Sequence, residues 1–453
     1  MTNLTAGRHD VPKMSPHLIR SALVAALGGL LFGFDTAVIS GTTHALTEVY
    51  QLSTWYLGFT VSAALWGTVL GSIISGPPAD KYGRRVSLQV LAILYILSAI
   101  GCAFAFSWGM VVVARFIGGL AIGGSSVIGP MYIAEISPAE KRGKLVGFFQ
   151  FNIVSGILIA YLSNYLIGLQ DFGATEWRWK LGIAAIPALG FFLALFGIPE
   201  SPRWLARMGR QQEARDVLVK TGDPEPDQEL QNIVATLHAE RGRQNEPLFQ
   251  KRYWFPIMLA IAIGMFNQLS GINAILYYLN DIFERAGFSR VSGDVRAVGI
   301  GATNLLFTII AMSVIDRLGR KKLLLIGAAG TASCLAGVAA VFSTGKHEDL
   351  LVWLLIGFIG FFAFSQGAVI WVYLSEVFPN LVRAKGQGLG SSTHWIMNAI
   401  ISAVFPSMAT GSAAAPFIFF TAMTVVQFVV VLTVFPETKG VTLEQMQHKL
   451  GID

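Results

Sequence analysis

Twelve stretches of about 20 mostly apolar residues, set between short charged breaks, govern what this chain can become. A helix needs roughly 20 such residues to cross about 30 Å of hydrocarbon. The runs lie near 20–42, 56–76, 87–105, 109–133, 145–168 and 181–199, then 254–279, 296–315, 322–342, 350–373, 385–408 and 414–436. Of the 453 residues, 53% are hydrophobic and 13% charged. Soluble domains carry roughly 25% charged residues. This chain cannot cover its apolar surface in water, so lipid must be its solvent. The predicted fold class is an all-α membrane protein with twelve transmembrane helices.

Several classes drop out. The net charge is +6, but Lys and Arg fall in short clusters between apolar runs and form no basic face for nucleic acid. The two cysteines, Cys102 and Cys334, lie inside apolar runs and give neither a disulfide framework nor metal-ligand spacing. The N-terminal stretch "MTNLTAGRHDVPKMSPHLIR" has no signal-peptide pattern. No phosphate loop, nucleophile elbow or metal cluster is present, so an enzyme is not expected, nor is any cofactor or metal.

Basic residues concentrate in the even-numbered connections: "DKYGRR", "EKRGK", the 200–253 segment, "DRLGRKK" and "VRAK". The odd ones hold fewer, among them Arg178, Lys180, Arg285, Arg290, Arg296 and Lys346. By the positive-inside rule both termini are predicted to face the cytoplasm. Within 200–253, "RQQEARDVLVKTG" and "DQELQNIVATLHAERG" show helical spacing of apolar residues and predict short amphipathic helices.

The halves repeat. "ADKYGRR" returns as "IDRLGRK", with Asp80 and Asp316 236 residues apart. "EISPAEKR" returns as "EVFPNLVR", with Glu135 and Glu376 241 apart. "PESPRW" returns as "PETKG", with Pro199 and Pro436 237 apart. Three pairs at nearly one offset imply two six-helix bundles in parallel orientation, with a substrate site between them near the midplane. The predicted units are 1–199 and 254–436 for the bundles, 200–253 for the linker and 437–453 for a tail.

Polar residues at membrane depth need a reason. Span 7 carries the densest set, "MFNQLSGINAILYY", with Asn267, Gln268 and Asn273 at roughly helical spacing and Gly271 between them. Amides both donate and accept, which suits a ring of sugar hydroxyls without the desolvation cost of a full charge. Trp371 and Trp395, and Phe32 in span 1, are candidates to stack on a sugar's C–H face. Gln150 and Asn304 complete a cage drawn from both halves. The alternative for each amide is a bridge between helices, worth about 0.6 kcal/mol.

"DKYGRR", "RFIGG", "PESPRWL", "NQLSGINAILYY" and "PETKG" together resemble the sugar porter family of the major facilitator superfamily, over essentially the whole chain. That family includes animal facilitative glucose transporters and bacterial proton-linked xylose, galactose and glucose symporters. The resemblance implies sugar-binding roles for Gln150, Gln268, Asn273, Asn304 and Trp371. Asn267 departs from a usual Gln, and His394 stands where relatives carry Asn or Gln. Ile157 resembles the apolar residue of glucose-transporting relatives, which tilts the reading towards a hexose such as glucose.

Asp35, in "LLFGFDTAVISG", is a carboxylate within an apolar run. It lies ~10 Å from the outer end of span 1, and Arg115 lies ~9 Å into span 4 at 1.5 Å per residue. Each alone costs at least roughly 2.5–3.5 kcal/mol, so pairing is expected. Separation of the pair in apolar surroundings favours protonation of the acid, which couples proton uptake to rocking of the halves. The alternative is a static pair that orients the two spans. The resemblance implies symport, because symporting relatives carry Asp at this position and uniporters Asn; Ala184 stands where some symporters add a Glu. A passive uniporter and a transporter-like sensor remain alternatives.

The resemblance also implies that Glu135, Arg142, Glu376, Arg383, Arg84, Arg85 and Arg320 form ion pairs that close the inner mouth when the site faces outward. Tyr277 and Tyr278 are either an outer lid or interfacial anchors. The expected partners are a sugar, a proton and the lipid of the plasma (inner) membrane, with the chain acting as a monomer.

Overall fold

The computed structural model describes residues 15–243, 246–379, 381–441, 445–446 and 450. Among these, eleven helical segments are long and apolar enough to cross a membrane. In chain order, spans 1–6 are Pro16–Gly41, Thr54–Ile74, Arg84–Ala103, Trp108–Ile136, Lys141–Gly168 and Gly173–Gly197. Spans 7–10 are Lys251–Tyr277, Ser292–Ile315, Arg320–Thr344 and Leu350–Glu376, and span 12 is Ala415–Thr433. Span 11 is the 29-residue helix Arg383–Gly411. Its Arg383, Lys385, Gln387, His394 and Asn398 dilute its apolar character, and it packs against spans 2 and 7.

Lipid-facing side chains are large and bare, including Ile186, Leu193 and Trp353. The two halves pack by the same plan. Span 1 lies on span 5, span 2 on span 4 and span 3 on span 6; span 7 lies on span 11, span 8 on span 10 and span 9 on span 12. Between the halves, span 2 meets span 11 and span 5 meets span 8, which is one contact repeated by the internal symmetry.

Each half is clasped at its basic face. Gly83 and Gly319 have φ of 95° and 89°, a region that favours glycine. A Cβ at either would lie 2.3 Å or 2.6 Å from a carboxylate oxygen of Glu200 or Glu437. Glu200 accepts from the backbone N–H groups of Arg84, Arg85 and Ser201. Glu437 accepts from those of Arg320, Lys321, Thr438 and Lys439. Each carboxylate thus caps the positive N-terminus of the next helix, span 3 or span 9. The paired motifs of the sequence are this one device, built twice.

Two spans begin earlier than the apolar runs predict. Span 6 starts near Gly173 rather than 181, and the helix of span 8 starts at Arg290 rather than 296. Lys180 and Asp294 therefore lie within spans, not in loops. Charged residues end an apolar run, but they need not end a helix when they are paired inside it.

The linker forms Pro202–Arg207, Gln211–Thr221 and Pro226–Arg243. Trp204, Leu205, Ala214 and Val217 pack with Leu230, Ile233, Val234 and Leu237. Trp204 Nε1 donates to the Asp80 carbonyl at 3.0 Å, which seats the linker on the first half.

Candidate substrate and proton site

Span 7 breaks at Gly271, whose φ is 82°. A Cβ there would also meet the Phe420 ring at 2.3 Å, so glycine is required twice over. The break separates Trp254–Leu269 from Ile272–Tyr277 and turns the amides into one cluster. Gln268 Nε2 donates to Asn267 Oδ1 at 3.0 Å and lies 3.3 Å from His394 Nδ1. Asn273 Nδ2 donates to Gln268 Oε1 at 3.0 Å. Asn267 Nδ2 reaches the Gln366 carbonyl at 3.5 Å, where span 10 breaks at Ser365 between Leu350–Phe364 and Gln366–Glu376.

The aromatic side chains form a row beside this cluster. Ring centroids of Trp371 and His394 are 5.3 Å apart, those of His394 and Trp395 5.0 Å, and those of Trp395 and Phe32 5.3 Å. The row crosses from the second half to the first. Asn304 is buried in span 8 and accepts from Thr308 Oγ1 at 3.5 Å. Gln150 is half-buried in span 5 and Ile157 is buried. Trp371 stays 39% exposed.

Asp35 and Arg115 meet in a two-point contact, Nη1 to Oδ1 and Nη2 to Oδ2, both 3.3 Å. Arg115 is buried, whereas Asp35 keeps 21% of its side-chain surface. A void of about 10 Å³ lies against the pair, walled by Phe32, Thr36, Tyr277 and Trp395 among others. It is about the size of one water. The ion pair and the aromatic row therefore share a wall.

The side away from the basic connections is closed. Tyr277 and Tyr278 are buried in protein rather than set at a lipid interface. Tyr161 Oη of the first half donates to the Leu276 carbonyl of the second at 2.9 Å. A Cβ on Gly58 would lie 1.9 Å from the Ala403 carbonyl oxygen, so spans 2 and 11 touch backbone to backbone there.

At the basic face the charges pair within each half. Arg84 holds Glu135 with two bonds of 2.9 Å, and Asp80 lies 3.2 Å from it. Arg320 holds Glu376 with bonds of 3.1 and 2.8 Å. Arg85 donates to the Ile198 carbonyl, Arg142 to Ala134 and Arg383 to Phe378. Ala184 is half-buried in span 6.

Two polar groups of the site escaped the sequence reading. Asn398 donates to Tyr277 Oη at 3.2 Å and is fully buried. It lies one turn beyond His394, a spacing that would have found it. Gln366 is buried with neither amide atom hydrogen-bonded to the protein; its place at the span 10 break gave no periodic signal.

A family model described as "Sugar (and other) transporter" matches residues 21–450. The chain is 36% identical to the arabinose-proton symporter of Bacillus subtilis (strain 168), over 97% of each chain. It is 36% identical to the glucose transport protein of Synechocystis sp., over 93% of this chain and 95% of that one. The xylose transporter XylE from E. coli, in a partially occluded inward open conformation, superposes with a TM-score of 0.85 at 34% identity, over 94% of this chain and 100% of the other. Taken with the twelve spans and the amide-aromatic cluster, these matches show that the chain belongs to the sugar porter family of the major facilitator superfamily and is a sugar transporter, not an enzyme.

Proposed function

We propose that this transporter imports one monosaccharide, a hexose such as glucose, together with a proton, by alternating access. The observation that carries the reading is the wall shared by the Asp35–Arg115 pair with Phe32, Tyr277 and Trp395. A sugar that moves the aromatic row acts on the same space the ion pair occupies. When the halves rock and Asp35 leaves Arg115, the carboxylate loses its counter-charge in apolar surroundings and takes a proton. Sugar need only bias that motion. The relatives' printed names support both parts, since an arabinose-proton symporter and a glucose transport protein match nearly end to end.

The sugar contacts in this reading are Gln150, Asn267, Gln268, Asn273, Asn304 and His394, with Trp371, Trp395 and Phe32 for stacking. The excess of Lys and Arg in the even-numbered connections supports a cytoplasmic position for both termini. One proton entering down 100 mV supplies about 2.3 kcal/mol, enough for roughly fortyfold accumulation at 1.4 kcal/mol per tenfold.

Proteoliposomes under an imposed pH gradient test it with labelled sugar. Asp35→Asn is expected to lose accumulation against a gradient while retaining sugar exchange. Accumulation that survives in this variant would leave a passive uniporter.

A further inference from the structure

Lys180 is a buried cation that the sugar and proton reading does not use. Its side chain is 0% exposed, in span 6. Its Nζ lies 2.7 Å from Glu176 Oε1, one turn earlier on the same helix. It also donates to the Gly41 carbonyl at the end of span 1, at 3.2 Å. Across the gap between the halves it lies 3.7 Å from Asp294 Oδ2, in span 8. Glu176 and Asp294 are 5% and 2% exposed. Asp294 Oδ1 in turn accepts from Asn280, in the short helix after span 7. One ammonium thus ties spans 1 and 6 of the first half to span 8 of the second, at the closed mouth.

The two carboxylates relate differently to the transport motion. Glu176 rides on the same helix as Lys180, so rocking leaves that pair intact. Asp294 rides on the other half, so opening this mouth must part it from Lys180. We propose that Lys180 is the shared partner in a latch at the closed mouth: Asp294 engages it to close, and Glu176 keeps it paired when the mouth opens. A buried lysine stripped of every partner would make opening prohibitively costly. With Glu176 always at hand, opening sacrifices only the Asp294 contact, and Asp294 regains water as it leaves. The arrangement is reversible for that reason. It rests on alternating access between the halves, not on the sugar or the proton assigned above.

The latch makes the two acids opponents. Asp294 draws Lys180 towards closure, and Glu176 competes for it. Removing the first must favour the open mouth and removing the second the closed one. A merely structural ion cluster predicts the same direction for both.

The experiment uses the full chain in nanodiscs with Cys102 and Cys334 replaced by Ala. Spin labels are placed at Phe106 and Lys346, both exposed at this end of the molecule, one on each half. Pulsed dipolar distances are read without sugar or a pH gradient, so the outcome is independent of whether symport holds. Asp294→Asn is expected to raise the ratio of long to short distances severalfold, and Glu176→Gln to lower it severalfold. In a Lys180→Met background Asp294→Asn should no longer raise it. Asp294→Ser carries the same expectation as the amide if that variant does not fold. Shifts in the same direction for the two acids, no shift for either, or an Asp294→Asn effect that persists without Lys180 would each overturn the latch.

Discussion

The two ends of the molecule use charge in opposite ways. At the basic face the ion pairs run inside each half: Arg84 with Glu135, Arg320 with Glu376. At the closed end contacts also cross between halves: Lys180, besides its in-helix pair with Glu176, reaches Asp294, and His44 reaches Glu284. A pair inside one half survives any rigid rocking of the halves, so it stiffens the moving part. A pair across the halves is made and broken by the motion, so it biases the conformation. The same residue types therefore do different work according to which side of the moving boundary their partner stands.

That contrast can be broken at its strongest point first. Glu135→Gln should cost the first half about 2 kcal/mol, the worth of the charge-assisted bonds that Arg84 loses while keeping Asp80, read as a lower unfolding temperature. Its label distances at the closed mouth should stay as in the parent. A conformational shift without loss of stability would erase the distinction between the two ends.

Next comes Asp281, in the short helix after span 7, whose Oδ2 is buried without a hydrogen-bond partner. Burial pushes its pKa up to about 7, with Glu284 adding to the rise and Thr43, Arg285 and His44 opposing it. An acid with a raised pKa binds its proton more tightly in the closed form. The closed mouth is therefore favoured fully below the acid's ordinary range, and that advantage is lost as pH rises through about 7. The open fraction should climb over this window, and Asp281→Asn should flatten the climb. A slope unchanged in the variant would remove Asp281 from the account.

A smaller effect is expected from the clasp. Burial works to raise the Glu437 pKa, but the N–H groups of Lys439, Arg320, Lys321 and Thr438 together hold it below the usual carboxylate range. The stability it gives is present above that range and is lost as pH falls through the lowered value. Glu437→Gln should cost about 1 kcal/mol, the loss of a charge at a helix N-terminus, and should remove the acid-side loss. The smallest change belongs to His44→Ala. Both partners of that pair are about half exposed, and exposed pairs are worth about 0–1 kcal/mol. A large shift in the open fraction from this change would make surface charge as potent as buried charge.

The twelve spans and their duplication were legible because lipid imposes a length and an apolarity on every crossing, and because Asp80, Glu135 and Pro199 each return at almost one offset. The meeting of Asp35 with Arg115 was legible from depth alone, since 1.5 Å per residue places both at one level. The amide cluster announced itself because Asn267, Gln268 and Asn273 have no business in hydrocarbon. Lys180 with Asp294 was not legible. Each lies outside the apolar runs, and their contact depends on how two separate bundles lean, which no local pattern encodes. The same reason hides which partner Arg84 or Arg320 takes in any one state.

The Glu200 and Glu437 clasps have a consequence for biosynthesis. Arg84 and its cap Glu200 are 116 residues apart, and Arg320 and Glu437 are 117. At about 5–20 residues per second a ribosome needs on the order of ten seconds to supply the missing carboxylate. Until then the third helix of each bundle has a bare amino end, so neither clasp can close before the last few residues of its own half have been made.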